Sequence, residues 1–355
     1  MINPPLARCV ALLTLGAALL TAPGCVPDRI TLELRPRDPV LRETAVLTDA
    51  GTGPSSAKIA LIDVRGLIFD APTPGLIAFG PNPVDELVSR LQRAENDPRI
   101  RAVVLRINSP GGTVSGSDTM HREVRRFAKT SGKPVVACMG EVAASGGYYL
   151  ALAADEIYAQ PTTVTGSVGV IMQTFNFSDG MSRIGVSGRA VVSGPNKAIA
   201  SPFEPAQERH YAILQAMVDE FYIRFRDIVE TRREGLSADV LYAYTDGRIF
   251  SGEEAARVGL VDATGGVREA FDAAKRLAGV PAARLVQYHA EGGSPRSVYA
   301  LADDRPEATP NLGAQPTGVT MNMLQLNLGA PGSPGTPGMP GAGFYYLWDP
   351  SIPLP

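Results

Sequence analysis

Histidine is scarce in this chain: 355 residues hold three, His121, His210 and His289. The first two fall inside charge-rich helical runs and the third near a C-terminal boundary, so all three read as surface residues. A hydrolase built on a histidine base therefore has no ready candidate. Cysteine is equally sparse, with Cys9, Cys25 and Cys138. That excludes a disulfide framework, and no zinc-ligand spacing is visible, so neither a metal nor another cofactor is expected. Cys138 sits in an apolar strand-like run and reads as a small buried hydrophobe. Basic residues form no stripe: Lys and Arg total 33 against 36 Asp and Glu, a net charge of -3. Nucleic acid is not an expected partner. The N-terminal apolar run, Val10 to Leu20, covers about 11 residues, too short to span a bilayer comfortably.

Apolar residues make up 45% of the chain, enough for a sizeable core. Residues 1–24 have the parts of a targeting segment: Arg8 as a minimal basic start, the apolar run, then Thr21-Ala22-Pro23-Gly24 before Cys25. Small residues ahead of a cysteine resemble a lipoprotein processing site, which predicts cleavage before Cys25, acylation of its thiol and a firm hold on a membrane surface. Residues 25–57 are polar and read as a flexible tether. From Lys58 the texture changes to apolar strand-like runs at 59–64, 101–107 and 134–139, separated by helical patterns. Asn82-Pro83 marks one helix start. The alternation predicts an α/β domain over 58–285 with parallel strands and right-handed crossovers. A long helix is expected from Pro205 to Arg232, with Leu214, Met217, Val218, Phe221, Phe225 and Ile228 as its apolar stripe. Residues 286–355 form a Pro/Gly-rich tail, with glycine at 329, 332, 335, 338 and 341. It ends in Phe344-Tyr345-Tyr346-Leu347-Trp348, a run too bulky for a free tail, predicted to pack on the body or on a neighbouring subunit.

The most informative stretch is Gly140 to Tyr149. A strand-like run leads into it and an alanine-rich helical run leaves it, which places Ser145 at a strand-to-helix turn with Gly146 and Gly147 after it. Backbone N–H groups at such a helix start favour developing negative charge. The Gly-x-Ser-x-Gly elbow of α/β-hydrolases is absent, since Ala143 stands two before the serine. With histidine set aside, the remaining base is a desolvated lysine, whose charged form is disfavoured by lost hydration. Lys197 is the candidate: its neighbours from Val191 to Pro202 are small or apolar, with no acidic residue within five positions. An oxyanion hole needs two backbone donors. Gly146 can supply one; Gly111 or Gly112, after a parallel strand, can supply the other.

Together these residues resemble the signal peptide peptidase A family of membrane-associated serine proteases. The likeness covers roughly residues 58–280. It runs through Arg106-Ile107-Asn108-Ser109-Pro110-Gly111-Gly112, the Ala143–Tyr149 core, Thr165-Gly166-Ser167-Val168-Gly169-Val170, Ser193-Gly194 to Lys197, Asp246–Gly252 and Gly259-Leu260-Val261-Asp262. The resemblance implies a Clp protease/crotonase-like β/α spiral with a single catalytic domain. It implies Ser145 as nucleophile, Lys197 as general base, Ser167 as the serine that orients the lysine amine, and Gly146 and Gly111 as oxyanion donors. It implies ring homo-oligomers in which the serine and lysine of one site come from adjacent subunits. Expected substrates are apolar peptides such as remnant signal peptides, bound as an added strand along Gly112, Thr113 and Val114, with a greasy pocket for a small or apolar side chain beside the scissile bond. The expected place is the bacterial cell envelope, with the catalytic domain outside the cytoplasm. The tail lies outside the family pattern and reads as a self-inhibitory or ring-stabilising arm. Two other readings stay open: an inactive membrane-anchored scaffold, and an acyl-CoA enzyme of the crotonase class, for which Glu141 is the only nearby carboxylate.

Overall fold

The computed structural model describes residues 41–72, 80–289, 294–300 and 344–347. Chain order is β1 (Arg42–Thr48), β2 (Lys58–Ile68), α1 (Pro83–Asn96), β3 (Ile100–Thr113), α2 (Val114–Ser131), β4 (Val135–Ala144), α3 (Gly146–Ala151), β5 (Glu156–Ala159) and β6 (Val164–Gly166). It continues with α4 (Ser178–Arg183), α5 (Glu208–Arg232), α6 (Ala238–Tyr244), β7 (Ile249–Ser251), α7 (Gly252–Val258), β8 (Ala263–Thr264), α8 (Val267–Leu277), β9 (Arg284–His289) and β10 (Tyr345–Leu347).

The main sheet has the order β1-β9-β2-β3-β4-β5-β8. From β9 to β8 every pairing is parallel; β1 runs antiparallel to β9. A parallel sheet is covered on both faces, so its strands are apolar on both. In β2, Ala60 and Ile62 enter one core while Ile59 and Leu61 enter the other, as the two-residue period requires. Helices α1, α2 and α3 cover the first face; α8, with Val267, Ala270, Phe271 and Ala274, covers the second. Cys138 belongs to that second core, and burial pushes its thiol up to about 12.

The site is made by what happens beyond the main sheet. The registers of β2 on β3 and of β3 on β4 both slip, after Arg65 and after Ile107. Such irregularities bend a strand away from its sheet. Past the slips, β4 pairs with the short β6, and β6 with β7, giving a second small layer at the strand ends. Asn82 caps α1 by accepting from the Val84 N–H at 2.9 Å, with Pro83 in the first turn, as expected.

Some expectations change. Residues 42–48, read as tether, form β1, and β9 continues four residues past the expected domain boundary at 285. Lys58 explains the closure: its fully buried ammonium donates to Glu43 on β1 at 2.6 Å and to Asp97 at 2.6 Å. The long helix begins at Glu208. Along it Leu214 and Phe225 are buried, whereas Met217 is exposed on this single chain.

Candidate active site

Ser145 sits between the end of β4 and the start of α3. Its backbone has φ 52° and ψ -116°, a conformation that costs a non-glycine residue roughly 1–3 kcal/mol. The surroundings hold it there: its N–H donates to the Gly166 carbonyl at 2.8 Å, and its carbonyl accepts from the Tyr149 N–H at 2.8 Å. The residue is 1% exposed. β6 runs beside β4 with Ala144 opposite Gly166, so Ser145 and Ser167 leave adjacent strand ends. Ser167 also has φ 52°, is buried, and donates its N–H to the Arg248 carbonyl at 2.7 Å.

The end of β3 forms the other wall. Gly111 has φ +104°, and a Cβ built on it would collide with the Tyr346 carbonyl oxygen and lie 2.7 Å from the Gly146 nitrogen. A Cβ built on Gly146 would reach that same oxygen at 3.0 Å and the Gly111 Cα at 3.1 Å. The two glycines therefore face each other across a gap that holds one carbonyl oxygen. The Gly111 N–H is engaged, donating to Ser109 Oγ at 3.0 Å, and that hydroxyl donates to the Gly66 carbonyl at 2.6 Å. Thr113 ends the strand and caps α2 by accepting from the Gly116 N–H at 3.1 Å.

The strand lying along this wall is the chain's own C-terminal segment. β10 pairs antiparallel with β3, placing Tyr345 opposite Thr113, Tyr346 opposite Gly112 and Leu347 opposite Gly111. The Val114 N–H donates to the Phe344 carbonyl at 3.2 Å. In an antiparallel ladder hydrogen-bonded pairs alternate, so the Gly112 N–H is the β3 donor that faces the Tyr346 carbonyl. On the opposite edge Tyr345 exchanges two hydrogen bonds with Ile171, each 3.0 Å. The Tyr346 ring is fully buried. It stacks on Tyr149 at 5.0 Å and tilts against Phe225 at 4.8 Å, and its hydroxyl donates to the Phe221 carbonyl at 2.9 Å. Phe344 meets Phe221 edge-on at 5.2 Å.

Polar contacts steady this pocket. The Tyr149 hydroxyl donates to Asp118 at 2.7 Å, and Arg224 donates to the same carboxylate at 2.7 Å. Burial works to raise the Asp118 pKa, but the hydrogen bonds from Arg224 and Tyr149 outweigh it and hold the carboxyl below its ordinary range. Burial pushes the Tyr346 phenol well above its ordinary value. Behind Gly146 lies the Ser117 hydroxyl, buried and without a hydrogen-bond partner among the described residues.

Lys197 is placed differently. It lies in the turn-rich loop 193–200 and is exposed on the single chain. Its N–H donates to the Gly194 carbonyl at 3.1 Å. Among the described residues its amine makes no hydrogen bond to Ser145, and no ion pair. The histidines overturn the surface reading. His210 and His289 are each 5% exposed, the first bonded to the Pro195 carbonyl at 3.0 Å and the second to Thr44 at 2.8 Å. His121 packs edge-on against Tyr149 at 5.2 Å, and burial lowers its pKa to about 4. His121 and His210 escaped because charged neighbours in sequence say nothing of the face a residue occupies, and His289 because β9 continues past the boundary expected before it. Glu141 is exposed. Among the described residues no three His, Cys, Asp or Glu side chains converge as metal ligands would, and no helix is long and apolar enough to cross a membrane. Cys25 and residues 1–40 lie outside the described residues.

Sequence reasoning missed Ser109, although it stands inside the Asn108–Gly112 turn, and it missed the aromatic pocket. Tyr149 follows Ser145 by four residues, one helical turn, and that spacing was the available signal.

Residues 127–281 match the model of Peptidase family S49. Protease 4 of Haemophilus influenzae is 36% identical over 220 residues, which are 62% of this chain and 35% of that protein. A protein of Enterococcus faecium whose name assigns it to the signal peptide peptidases is 30% identical over 236 residues, 66% of this chain and 68% of that protein. A Synechocystis protein named as a protease is 34% identical over 223 residues, 63% of this chain and 75% of that protein. The chain thus spans about a third of the Haemophilus protease and most of the shorter relatives.

Proposed function

The chain belongs to peptidase family S49, and from that premise we propose that it is a serine endopeptidase in which Ser145 is the nucleophile and Lys197 of an adjacent subunit the general base. The fold is the Clp protease/crotonase-like α/β class. The observation that supports the chemistry is the pair of strand ends at Ser145–Gly146 and Gly111–Gly112, which close around a single peptide carbonyl oxygen.

In the proposed reaction Lys197 takes the Ser145 proton as Oγ attacks the carbonyl carbon of a bound peptide. Charge develops on the carbonyl oxygen, which the Gly146 and Gly112 N–H groups receive without reorganising. Gly111 contributes space: its own N–H is held by Ser109, and the missing Cβ admits the oxygen. The amine then protonates the leaving nitrogen, and water hydrolyses the acyl-enzyme. A lysine acts as a base only when neutral, which requires it to lose hydration. Lys197 is exposed on one chain, so a neighbouring subunit in a ring has to supply that burial, with the Ser167 hydroxyl orienting the amine. Substrates are apolar peptides such as remnant signal peptides, bound along Gly112–Val114. Acylation of Cys25 would hold the enzyme on the cell envelope. The exposed position of Glu141 gives an acyl-CoA reading no second feature to stand on.

The test is labelling by a serine-directed covalent probe. Wild-type protein is expected to react at Ser145, and Ser145→Ala to stay unlabelled with an unchanged melting temperature. Equal labelling of both proteins, or none of the wild type under conditions where it cleaves peptides, would remove Ser145 from the mechanism.

A further inference from the structure

We propose that His210 is a positioning residue of the reaction: its imidazole, on the first turn of α5, fixes the turn that presents the Lys197 amine. This rests on Lys197 being the general base, as proposed above, and names what holds that base in place.

The chain forms no helix or strand from 186 to 207, so no ladder places Lys197. Short turns shape this stretch instead. The Lys197 N–H donates to the Gly194 carbonyl at 3.1 Å, closing a turn with Pro195 in its second position. Proline suits that position because its ring fixes φ near the value the turn requires. Two bonds of the same span follow, from the Ile199 N–H to the Asn196 carbonyl at 3.3 Å and from the Ser201 N–H to the Ala198 carbonyl at 3.1 Å. Glu204 accepts from the Ala190 N–H at 2.7 Å and so joins the two arms of the loop to each other. Bonds of this kind set the shape of the loop and not its place on the body.

Its place comes from the bonds that leave it. After Lys197, the Pro202 carbonyl accepts from the Phe177 N–H at 2.7 Å, and the Glu204 carbonyl accepts from the Asn176 side chain at 2.7 Å. Before Lys197, the tie is at Pro195. His210 Nε2 lies 3.0 Å from the Pro195 carbonyl oxygen, and Arg209 donates to the same oxygen at 3.2 Å. A carbonyl only accepts, so Nε2 carries the proton. His210 is buried whereas Arg209 is exposed. A hydrogen bond shielded from water is the stronger of the two, which makes the imidazole the principal tie. Holding the Pro195 carbonyl holds the backbone two residues from the base, inside the turn that ends on it. The helix behind is itself rooted in the core through Leu214 and Phe225. A general base has to stand within hydrogen-bond reach of its proton, and a displacement of about 1 Å can cost about 10^2-fold in rate.

The experiment is steady-state cleavage of an apolar peptide by full-length wild type, His210→Phe, His210→Gln and Lys197→Ala, with melting temperature and assembly size measured alongside. His210→Phe keeps a ring but no donor. It is expected to lower kcat by about 10- to 100-fold with KM within about twofold, because the peptide binds on the Ser145 half. His210→Gln restores an N–H donor and is expected to return kcat to within about fivefold of wild type. A folded His210→Phe protein with wild-type kcat, or one changed in KM alone, overturns the inference. Should His210→Phe melt early, His210→Gln decides: kcat within about fivefold of wild type supports the tie, and a larger loss overturns it. Lys197→Ala separates the two readings. If it is inactive while His210→Phe is fully active, only the positioning role falls; if it keeps wild-type kcat, the base falls and the positioning role with it.

Discussion

The strand ends around Ser145 and the loop around Lys197 are two halves of one proposed site, built to opposite standards. Around Ser145 everything is buried and cross-braced: a strained serine held from two sides, glycines spaced by one oxygen, and Ser109 holding the turn behind them. Around Lys197 the chain is exposed, held by short turns, with Ala200 in the left-handed region at φ 57°. On the proposed mechanism, the difference separates the half that one chain finishes alone from the half that an adjacent subunit completes. An oxyanion cradle requires fixed geometry, which a covered parallel sheet provides. A neutral amine requires dryness, which a surface loop acquires only when something covers it. Lys58 shows the alternative: a fully buried lysine in this fold sits between two carboxylates, an arrangement that closes a sheet edge.

The most severe way to break the comparison is to remove either half. Ser145→Ala is expected to lower kcat/KM by about 10^4-fold or more, and Lys197→Ala by a comparable factor, because groups that act as a unit fail together. Mixing the two inactive variants sharpens the point. If the halves come from adjacent subunits, exchange between the two assemblies restores measurable peptide cleavage; if both come from one chain, the mixture stays dead. Lys58→Met tests the structural lysine instead. It leaves Glu43 and Asp97 without their shared cation and should cost about 3–5 kcal/mol of stability, read by urea unfolding. Gly111→Ala attacks the cradle. Its Cβ has no room beside the Tyr346 oxygen and the Gly146 nitrogen, and φ +104° disfavours any side chain. A loss of about 10^2–10^3 in kcat is expected, with a fold intact by circular dichroism.

Much of the rigid half could be read from the chain, because its signals are local. A strand-like run, a serine, two glycines and a helical run announce the Ser145 turn, and Asn82-Pro83 announces the start of α1. The parts that escaped are set by distant partners. β1 was legible only with β9, whose pairing joins Arg42 to His289 across most of the chain. Tyr346 could be seen as bulky, but its place between Gly111 and Gly146 follows from an antiparallel register that no nearby residue specifies. The exposed Met217 on α5 has the same origin: a helical stripe gives a face, and tertiary packing decides how much of that face is used.

His121 offers the mildest test, confined to the buried half. It packs on the same Tyr149 that carries the Tyr346 ring, and burial lowers its pKa to about 4 from an ordinary 6.5. Asp118 favours its charged form, while Arg125, Arg232 and Arg224 oppose it. The folded pKa is below the unfolded one, so the full contribution is present above pH 6.5 and is lost as pH falls toward 4, where the unfolded chain binds the proton first. Between pH 7 and pH 5 this histidine should cost the fold about 2 kcal/mol at most. Urea unfolding at the two pH values measures it: His121→Phe is expected to lose less stability over that interval than wild type. An identical loss in both proteins would mean that the ring is wet and that the wall behind Tyr149 is looser than its packing indicates.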